Sequence, residues 1–224
     1  MNALEARQIS FSYPKSKLLF REVNISLRQG ECVILRGPSG SGKTTLAYIL
    51  AGIIPRSIPG EVEGEVLLFG QEMRTLSLAA IVQQVGVLFQ DPDAQLFFPT
   101  VEDEVAFGPE NLCLPRDEIV LRIDRALEAV QMTRFRKAAP DRLSHGQKQL
   151  VALAAALALE PRIMVLDEAF SQLDTATTKR VKRIIRELKG MGRSIFLVEN
   201  SEDHFDLAER IYELRGGRVQ EVAL

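Results

Sequence analysis

The sequence predicts an α/β fold: a mostly parallel sheet, a small antiparallel β piece and an inserted α-helical lobe. Three observations predict it. Short, continuous apolar runs at Cys32–Leu35, Val85–Phe89, Ile163–Leu166 and Ile195–Val198 alternate with helix-period segments, as strands buried on both faces do. Around Val23 and Val66 the strands are half polar, which sets them apart as an antiparallel piece with one wet face. From about Pro99 to Leu159 the strand rhythm stops and only helical patterns remain. The 224 residues, 46% of them hydrophobic, suit one domain. Its core is expected over about 1–90 and 160–224, with the helical lobe over about 91–159.

In chain order, Ser10–Phe11–Ser12–Tyr13–Pro14 ends a first strand. Val23, Ile25 and Leu27 alternate with Asn24, Ser26 and Arg28 in a second. Gln29–Gly30–Glu31 turns the chain into the strand Cys32–Leu35, and Leu46–Ala51 reads as a helix. After a loop over Ile54–Gly60 comes a strand over Gly64–Gly70, bounded by those two glycines. Val85–Phe89 leads into Gln90–Asp91–Pro92–Asp93, a sharp loop signal. Thr100 with Asp103 three residues on is a helix start, and Asp117–Val130 carries apolar residues at helical spacing. Ser144-x-x-Gln147 is a capping box for an apolar helix expected to end near Glu160–Pro161. Ile163–Leu166 is a buried strand. Thr175–Lys189 is an amphipathic helix with Val181, Ile184, Ile185 and Leu188 inward and Gly190 as its stop. Ile195–Val198 and Ile211–Leu214 close the set before the turn at Arg215–Arg218.

The chemistry centres on Arg36–Gly37–Pro38–Ser39–Gly40–Ser41–Gly42–Lys43–Thr44–Thr45, which fits G-x-x-x-x-G-K-[ST] between a strand and a helix. Glycines let the backbone aim several N–H groups at one point. The helix start adds positive potential, Lys43 adds a full charge, and the Thr44 hydroxyl can ligate Mg²⁺. Together they make a cradle for a triphosphate. Asp167 and Glu168 end a buried strand, the place where an open α/β sheet binds its ligands. One carboxylate there can hold Mg²⁺ and the other can polarise an attacking water.

Composition excludes several roles. A net charge of −2 leaves no footprint for nucleic acid or an anionic membrane. The longest apolar run, Leu150–Leu159, is ten residues, half the ~20 that a membrane span needs. Met1–Arg7 carries no secretory pattern, and Cys32 and Cys113 form no metal or disulfide pattern. A cytosolic address is expected, with any membrane role supplied by a partner.

Leu143–Ser144–His145–Gly146–Gln147 brings the motifs together. In the order phosphate loop, Gln90, this stretch, Leu166–Asp167–Glu168 and Ser171–Gln172–Leu173–Asp174, the chain resembles the nucleotide-binding subunit of an ABC transporter, whose signature is LSGGQ. The resemblance covers nearly the whole chain. It implies a P-loop NTPase core of RecA type and a head-to-tail dimer with ATP between one subunit's phosphate loop and the other's signature. The residue chemistry agrees, because the Ser144 hydroxyl and the N–H groups around Gly146 and Gln147 start a helix and can grip a terminal phosphate. Val87–Phe97 followed by Thr100–Leu112 is similar to the energy-coupling-factor ATPases, the cytosolic motors of vitamin and cobalt or nickel uptake. That resemblance implies a place at the cytoplasmic face of the membrane, beside a transmembrane coupling subunit and a substrate-binding membrane subunit. Leu96, Phe97 and Phe98 would line a groove for coupling helices. It also implies that Gln90 contacts Mg²⁺ and the attacking water and that Tyr13 stacks on adenine.

Two positions depart from the family pattern. His145 replaces the first glycine after the signature serine. It places a side chain near the terminal phosphate of the neighbouring site, where an imidazole can donate a hydrogen bond. Asn200 stands where the family usually carries a histidine that contacts the γ-phosphate; an amide can bond a phosphate oxygen but has no titratable proton. Together they point to a heterodimer with a second, more regular ATPase chain, and leave a weakly hydrolysing, ATP-gated regulatory member as the alternative. The chain stops soon after Gly217, without the dimerising extension that many relatives carry. A soluble ABC ATPase of DNA repair or translation is disfavoured by the lack of a coiled-coil insertion or fused second cassette, and a small-molecule kinase by the signature helix.

Overall fold

The computed structural model describes residues 1–223. Strands β1 (Asn2–Ser12) and β2 (Leu18–Arg28) lead to β3 (Cys32–Arg36), the phosphate loop and helix α1 (Lys43–Leu50). Then come β4 (Glu61–Leu68), β5 (Gln71–Glu72), α2 (Leu78–Val82) and β6 (Val85–Leu88). Helices α3 (Val101–Asn111), α4 (Arg116–Ala129) and α5 (His145–Leu157) follow without an intervening strand. The chain closes with β7 (Ile163–Asp167), α6 (Thr175–Gly190), β8 (Ser194–Val198), β9 (Arg210–Arg215) and β10 (Arg218–Val222).

These strands make two sheets. The antiparallel one runs β2-β1-β4-β5; the larger one runs β10-β9-β3-β8-β7-β6, with only β10 antiparallel to its neighbour. The alternating strands near Val23 and Val66 therefore do form the separate piece, and the apolar runs do form the parallel sheet. Period-two alternation sends successive side chains of one strand to opposite faces. Cys32, Ile34, Met164, Leu166, Ile195 and Leu197 pack under α3–α6. Val33, Leu35, Ile163, Val165, Phe196 and Val198 pack against α1 and the antiparallel sheet. The helices expected as their own lobe thus share a continuous apolar core with one face of the parallel sheet. Each fully buried Leu, Ile or Phe contributes roughly 1.5–3 kcal/mol.

Several boundaries differ from expectation. Gly64 lies inside β4 rather than at its edge. Its φ is +86°, and a Cβ there would come within 2.5 Å of the carbonyl oxygens of Arg7 and Gln8. It marks a bulge where the β1–β4 register shifts between Arg7 and Ser10. The left-handed residue beyond α6 is Gly192 (φ +78°), not Gly190, which is helical. Helix α5 stops at Leu157, three residues before Glu160. The short α2, capped by the Ser77 hydroxyl accepting from Ala80 N–H, is an element that the sequence pattern does not predict. Among the described residues no helix is long and apolar enough to cross a membrane.

Candidate functional site

Four adjacent parallel strands, β3, β8, β7 and β6, deliver their carboxyl ends to one edge. The phosphate loop, Asn200, Asp167–Glu168 and Gln90 follow those ends in turn. The sheet order thus brings together residues far apart in sequence, as a doubly wound sheet does with its ligand crevice.

The phosphate loop is held from several sides. A Cβ on Gly37 would lie 2.3 Å from the Leu214 carbonyl oxygen, so only glycine allows this approach to β9. Gly42 is the left-handed N-cap of α1, with φ +101°. Lys43, 5% exposed, donates from Nζ to the carbonyls of Gly37 (2.8 Å) and Pro38 (3.0 Å). Ser41 N–H closes a turn onto the Pro38 carbonyl. Ser39 and Gly40 are exposed at the tip. Tyr13, just beyond β1, meets Phe11 edge-on at 4.8 Å, and its hydroxyl lies 2.9 Å from the Thr45 hydroxyl. The Tyr13 ring therefore sits beside the start of α1 and is 37% exposed.

Asp167 is fully buried at the end of β7. The Thr44 hydroxyl donates to its Oδ1 over 3.2 Å, while its Oδ2 is buried without a partner among the described residues. Burial raises its pKa to about 6, offset in part by the Thr44 hydrogen bond and reinforced by the neighbouring charge of Glu168. An orphaned, buried carboxylate oxygen beside a hydroxyl fits a hard cation. Among the described residues no three His, Cys, Asp or Glu side chains gather to hold a metal. A cation at Thr44 and Asp167 would therefore take its other ligands from a nucleotide and water, as Mg²⁺ does. Glu168 follows with φ +48°, an uncommon backbone for a non-glycine residue. Its N–H is bonded to the Val198 carbonyl, and its Oε2 accepts from Gln90 Nε2 at 2.7 Å.

Asn200 is exposed, and its Oδ1 accepts the Gly37 N–H at 3.0 Å. The buried Glu199 carboxylate accepts the N–H groups of Asn200 (2.7 Å) and Ser201 (2.8 Å), fixing this backbone. In the sequence, only the polar run after an apolar strand signals Glu199. His204 is buried and stacked on Phe170 at 4.0 Å, and burial lowers its pKa.

Ser144 caps α5, its hydroxyl accepting from Gln147 N–H while Gln147 Oε1 accepts from Ser144 N–H. The predicted capping box is therefore present. His145 is the first helical residue, half-buried, with its Nε2 buried and unpartnered among the described residues. A Cβ on Gly146 would touch Thr177 at 3.4 Å, so the signature packs on the start of α6. Lys148 on the next turn pairs with Asp93 at 2.5 Å.

On the helical side a groove of about 610 Å³ is lined by Leu78, Val82, Phe89, Phe97, Phe107 and Leu159, among others. Leu78, Phe97 and Phe107 are large apolar side chains that remain exposed. Of the residues expected there, Phe97 lines this groove; Leu96 and Phe98 line an adjoining one with Phe97, Asp93 and Lys148.

The sequence pattern described as ABC transporter matches residues 20–171, and the chain belongs to that family. It is 43% identical over 222 residues to a putative ABC transporter ATP-binding protein of Pyrococcus abyssi, covering 98% of this chain and 79% of that one. To the energy-coupling factor transporter ATP-binding protein EcfA of Methanothermobacter thermautotrophicus it is 40% identical over 219 residues, covering 96% and 69%. Other relatives are longer: the chain spans 34% of a putative ABC transporter ATP-binding protein of Methanosarcina acetivorans, matched at 38% identity over 96% of this chain. Among solved structures, cbiO1 from Clostridium perfringens, part of the ABC transporter complex cbiONQ, aligns with a TM-score of 0.84 at 28% identity over 98% of this chain and 87% of that one. A dimeric ATP-binding cassette in a post-hydrolysis state with ADP and Pi aligns with a TM-score of 0.86 at 25% identity over 99% and 98%.

Proposed function

We propose that this chain is the ATP-hydrolysing subunit of an energy-coupling-factor type uptake transporter for a vitamin or transition-metal ion, attached peripherally at the cytoplasmic face of the membrane. One observation carries the reading. Phe89 lines the apolar groove, and the next residue, Gln90, bonds Glu168. Whatever fills the groove is thereby one residue from the carboxylate that faces the reacting water. The occupant is an apolar helical segment of a membrane coupling subunit, which itself works with a substrate-binding subunit. The kinship with EcfA and with cbiO1 of a cbiONQ complex supports this choice.

In this reading Tyr13 stacks on the base, and Lys43 with the free N–H groups of the loop between Gly37 and Thr45 holds the phosphates. Thr44, Gln90 and Asp167 serve Mg²⁺, which when bound neutralises phosphate charge. Glu168 orients or deprotonates the attacking water, and Asn200 contacts the terminal phosphate. The rate comes mainly from positioning and electrostatics. Ser144, His145, Gly146 and Gln147 close over the nucleotide of a second cassette, as the dimeric neighbour supports. Asn200 and His145 favour a different, more regular chain as that second cassette.

The test is to purify the tagged chain from membranes, identify what accompanies it and assay Mg²⁺-dependent ATP hydrolysis in the complex. Phe97→Asp is expected to abolish co-purification of the membrane subunit while nucleotide binding persists. Retention of the partner would remove the groove from the account. A second reading, a cassette that closes on ATP but barely turns over, is favoured by Asn200 alone. Glu168→Gln separates the two. Hydrolysis in the complex should fall about a hundredfold or more with ATP still bound, whereas unchanged hydrolysis would establish the regulatory reading.

A further inference from the structure

Tyr48 lies one helical turn after Thr44 on α1, so the two side chains share a face. Its ring is half-buried and meets the ring of Phe89 at 5.4 Å between centroids, tilted by 54°, a separation at which aromatic pairs are favourable. Burial pushes the Tyr48 phenol up to about 12, and the charge of Asp167 adds to the shift. The ring therefore stands in the field of the carboxylate that Thr44 bonds. Phe89 is held from the other side, where Gln95 accepts its N–H at 3.1 Å and donates to the Val87 carbonyl at 3.3 Å. The next residue along the chain is Gln90.

This ring pair closes a gap that the sheet leaves open. Thr44 follows β3 and Gln90 follows β6, with β8 and β7 standing between those strands. Asp167 comes from β7 and is bonded to Thr44 directly. Gln90 comes from the sheet edge, and its amide bonds Glu168. The contact between Phe89 and Tyr48 ties the residue before Gln90 to the helix that carries Thr44. Resting on the ATPase reading above, we propose that Tyr48 is a positioning residue for the Mg²⁺ site: its ring, wedged against Phe89, sets the spacing between Thr44 and Gln90. Mg²⁺ demands near-ideal octahedral geometry, so ligands carried on separate elements need their separation fixed beforehand. Phe89 also lines the apolar groove, which makes Tyr48 the backstop against which a groove occupant presses.

The measurement is the affinity of the purified full chain for a non-hydrolysable ATP analogue, by equilibrium titration, across a series of Mg²⁺ concentrations and in EDTA. Tyr48→Ala should raise the Mg²⁺ concentration that gives half of the metal-dependent gain about fivefold, the size of one lost aromatic pair. Affinity in EDTA should not change, and it doubles as the check that the variant is folded. Tyr48→Leu, which fills space without a ring, should shift the same way and stands in if the alanine variant does not fold. Tyr48→Phe keeps the ring and should match wild type. In a Gln90→Ala background Tyr48→Ala should add nothing, because the ligand it positions is gone. An equal loss with Mg²⁺ and in EDTA would overturn the proposal and make Tyr48 ordinary packing. So would an unchanged Mg²⁺ midpoint, or a fivefold shift that persists without Gln90. Those outcomes leave the ATPase reading standing, whereas wild-type binding that ignores Mg²⁺, or Gln90→Ala without effect, would overturn the metal assignment of that reading and the role of Tyr48 with it.

Discussion

Two charged regions of this molecule are built on opposite rules. At the strand ends, Asp167 is fully buried and has one oxygen without a partner among the described residues, and burial, which disfavours its charge, pushes its pKa up to about 6. Across the helical side, Glu102 on α3 accepts from Arg136 at 2.7 Å and from Lys137, and Arg136 also pairs with Asp124 on α4. There the guanidinium and ammonium beside Glu102 pull its pKa down to about 2. The first carboxylate is a burden on the ligand-free fold, the second a brace for it. The contrast teaches where to look for function: a saturated ion network accounts for itself, whereas an orphaned buried oxygen asks for something the protein alone does not supply.

The largest break in this contrast comes at Asp167. Asp167→Asn should lower Mg²⁺-dependent hydrolysis about a hundredfold or more, because the oxygen facing the cation loses its charge. Yet the same change should raise the melting temperature of the nucleotide-free protein. Moving a carboxylate from its ordinary 3.8 to about 6 corresponds to at most roughly 3 kcal/mol at neutral pH. The new amide returns part of that through its own unpartnered donors. A net gain of about 1 kcal/mol, or ~2–4 °C for a chain of this size, is the expected reading in thermal unfolding. A lower melting temperature would show that the buried charge is already compensated.

The same contrast explains what the sequence revealed and what it hid. Strands read as continuous apolar runs because both sheet faces are covered, and the phosphate loop, Asp167–Glu168 and the Ser144–Gln147 box are local patterns that carry their own geometry. Pairings set by sheet order left no such trace. Asn200 meets Gly37 across 163 positions only because β8 lies beside β3, and no spacing rule encodes that neighbour. Helix α2 is five residues long, less than two turns, so it offers too little periodicity to register, although Leu78 and Val82 wall the groove. Gly190 and Gly192 look alike as helix stops; which one takes the left-handed backbone depends on how the chain leaves α6 for β8.

The smallest expected effect is on the braced side, and it runs in the opposite direction. Glu102→Gln should leave nucleotide affinity unchanged and lower the melting temperature. Lys137 is mostly exposed and the network touches solvent, so screening holds the loss to about 1 kcal/mol or less, ~2–4 °C at most. The sign with pH follows from the depressed carboxyl. Glu102 is charged in both folded and unfolded chains above its ordinary 4.5, so its contribution is complete there. As pH falls from 4.5 toward about 2, the unfolded chain takes the proton first and the contribution drains away. Urea midpoints of wild type and Glu102→Gln should therefore differ by a steady amount above pH 4.5, draw together as pH falls from 4.5 toward about 2, and draw together at pH 7 in high salt. A gap that survives acid and salt alike would mean that Glu102 supports α3 by packing and not by charge. The two carboxylates would then differ in exposure but not in the rule that placed them.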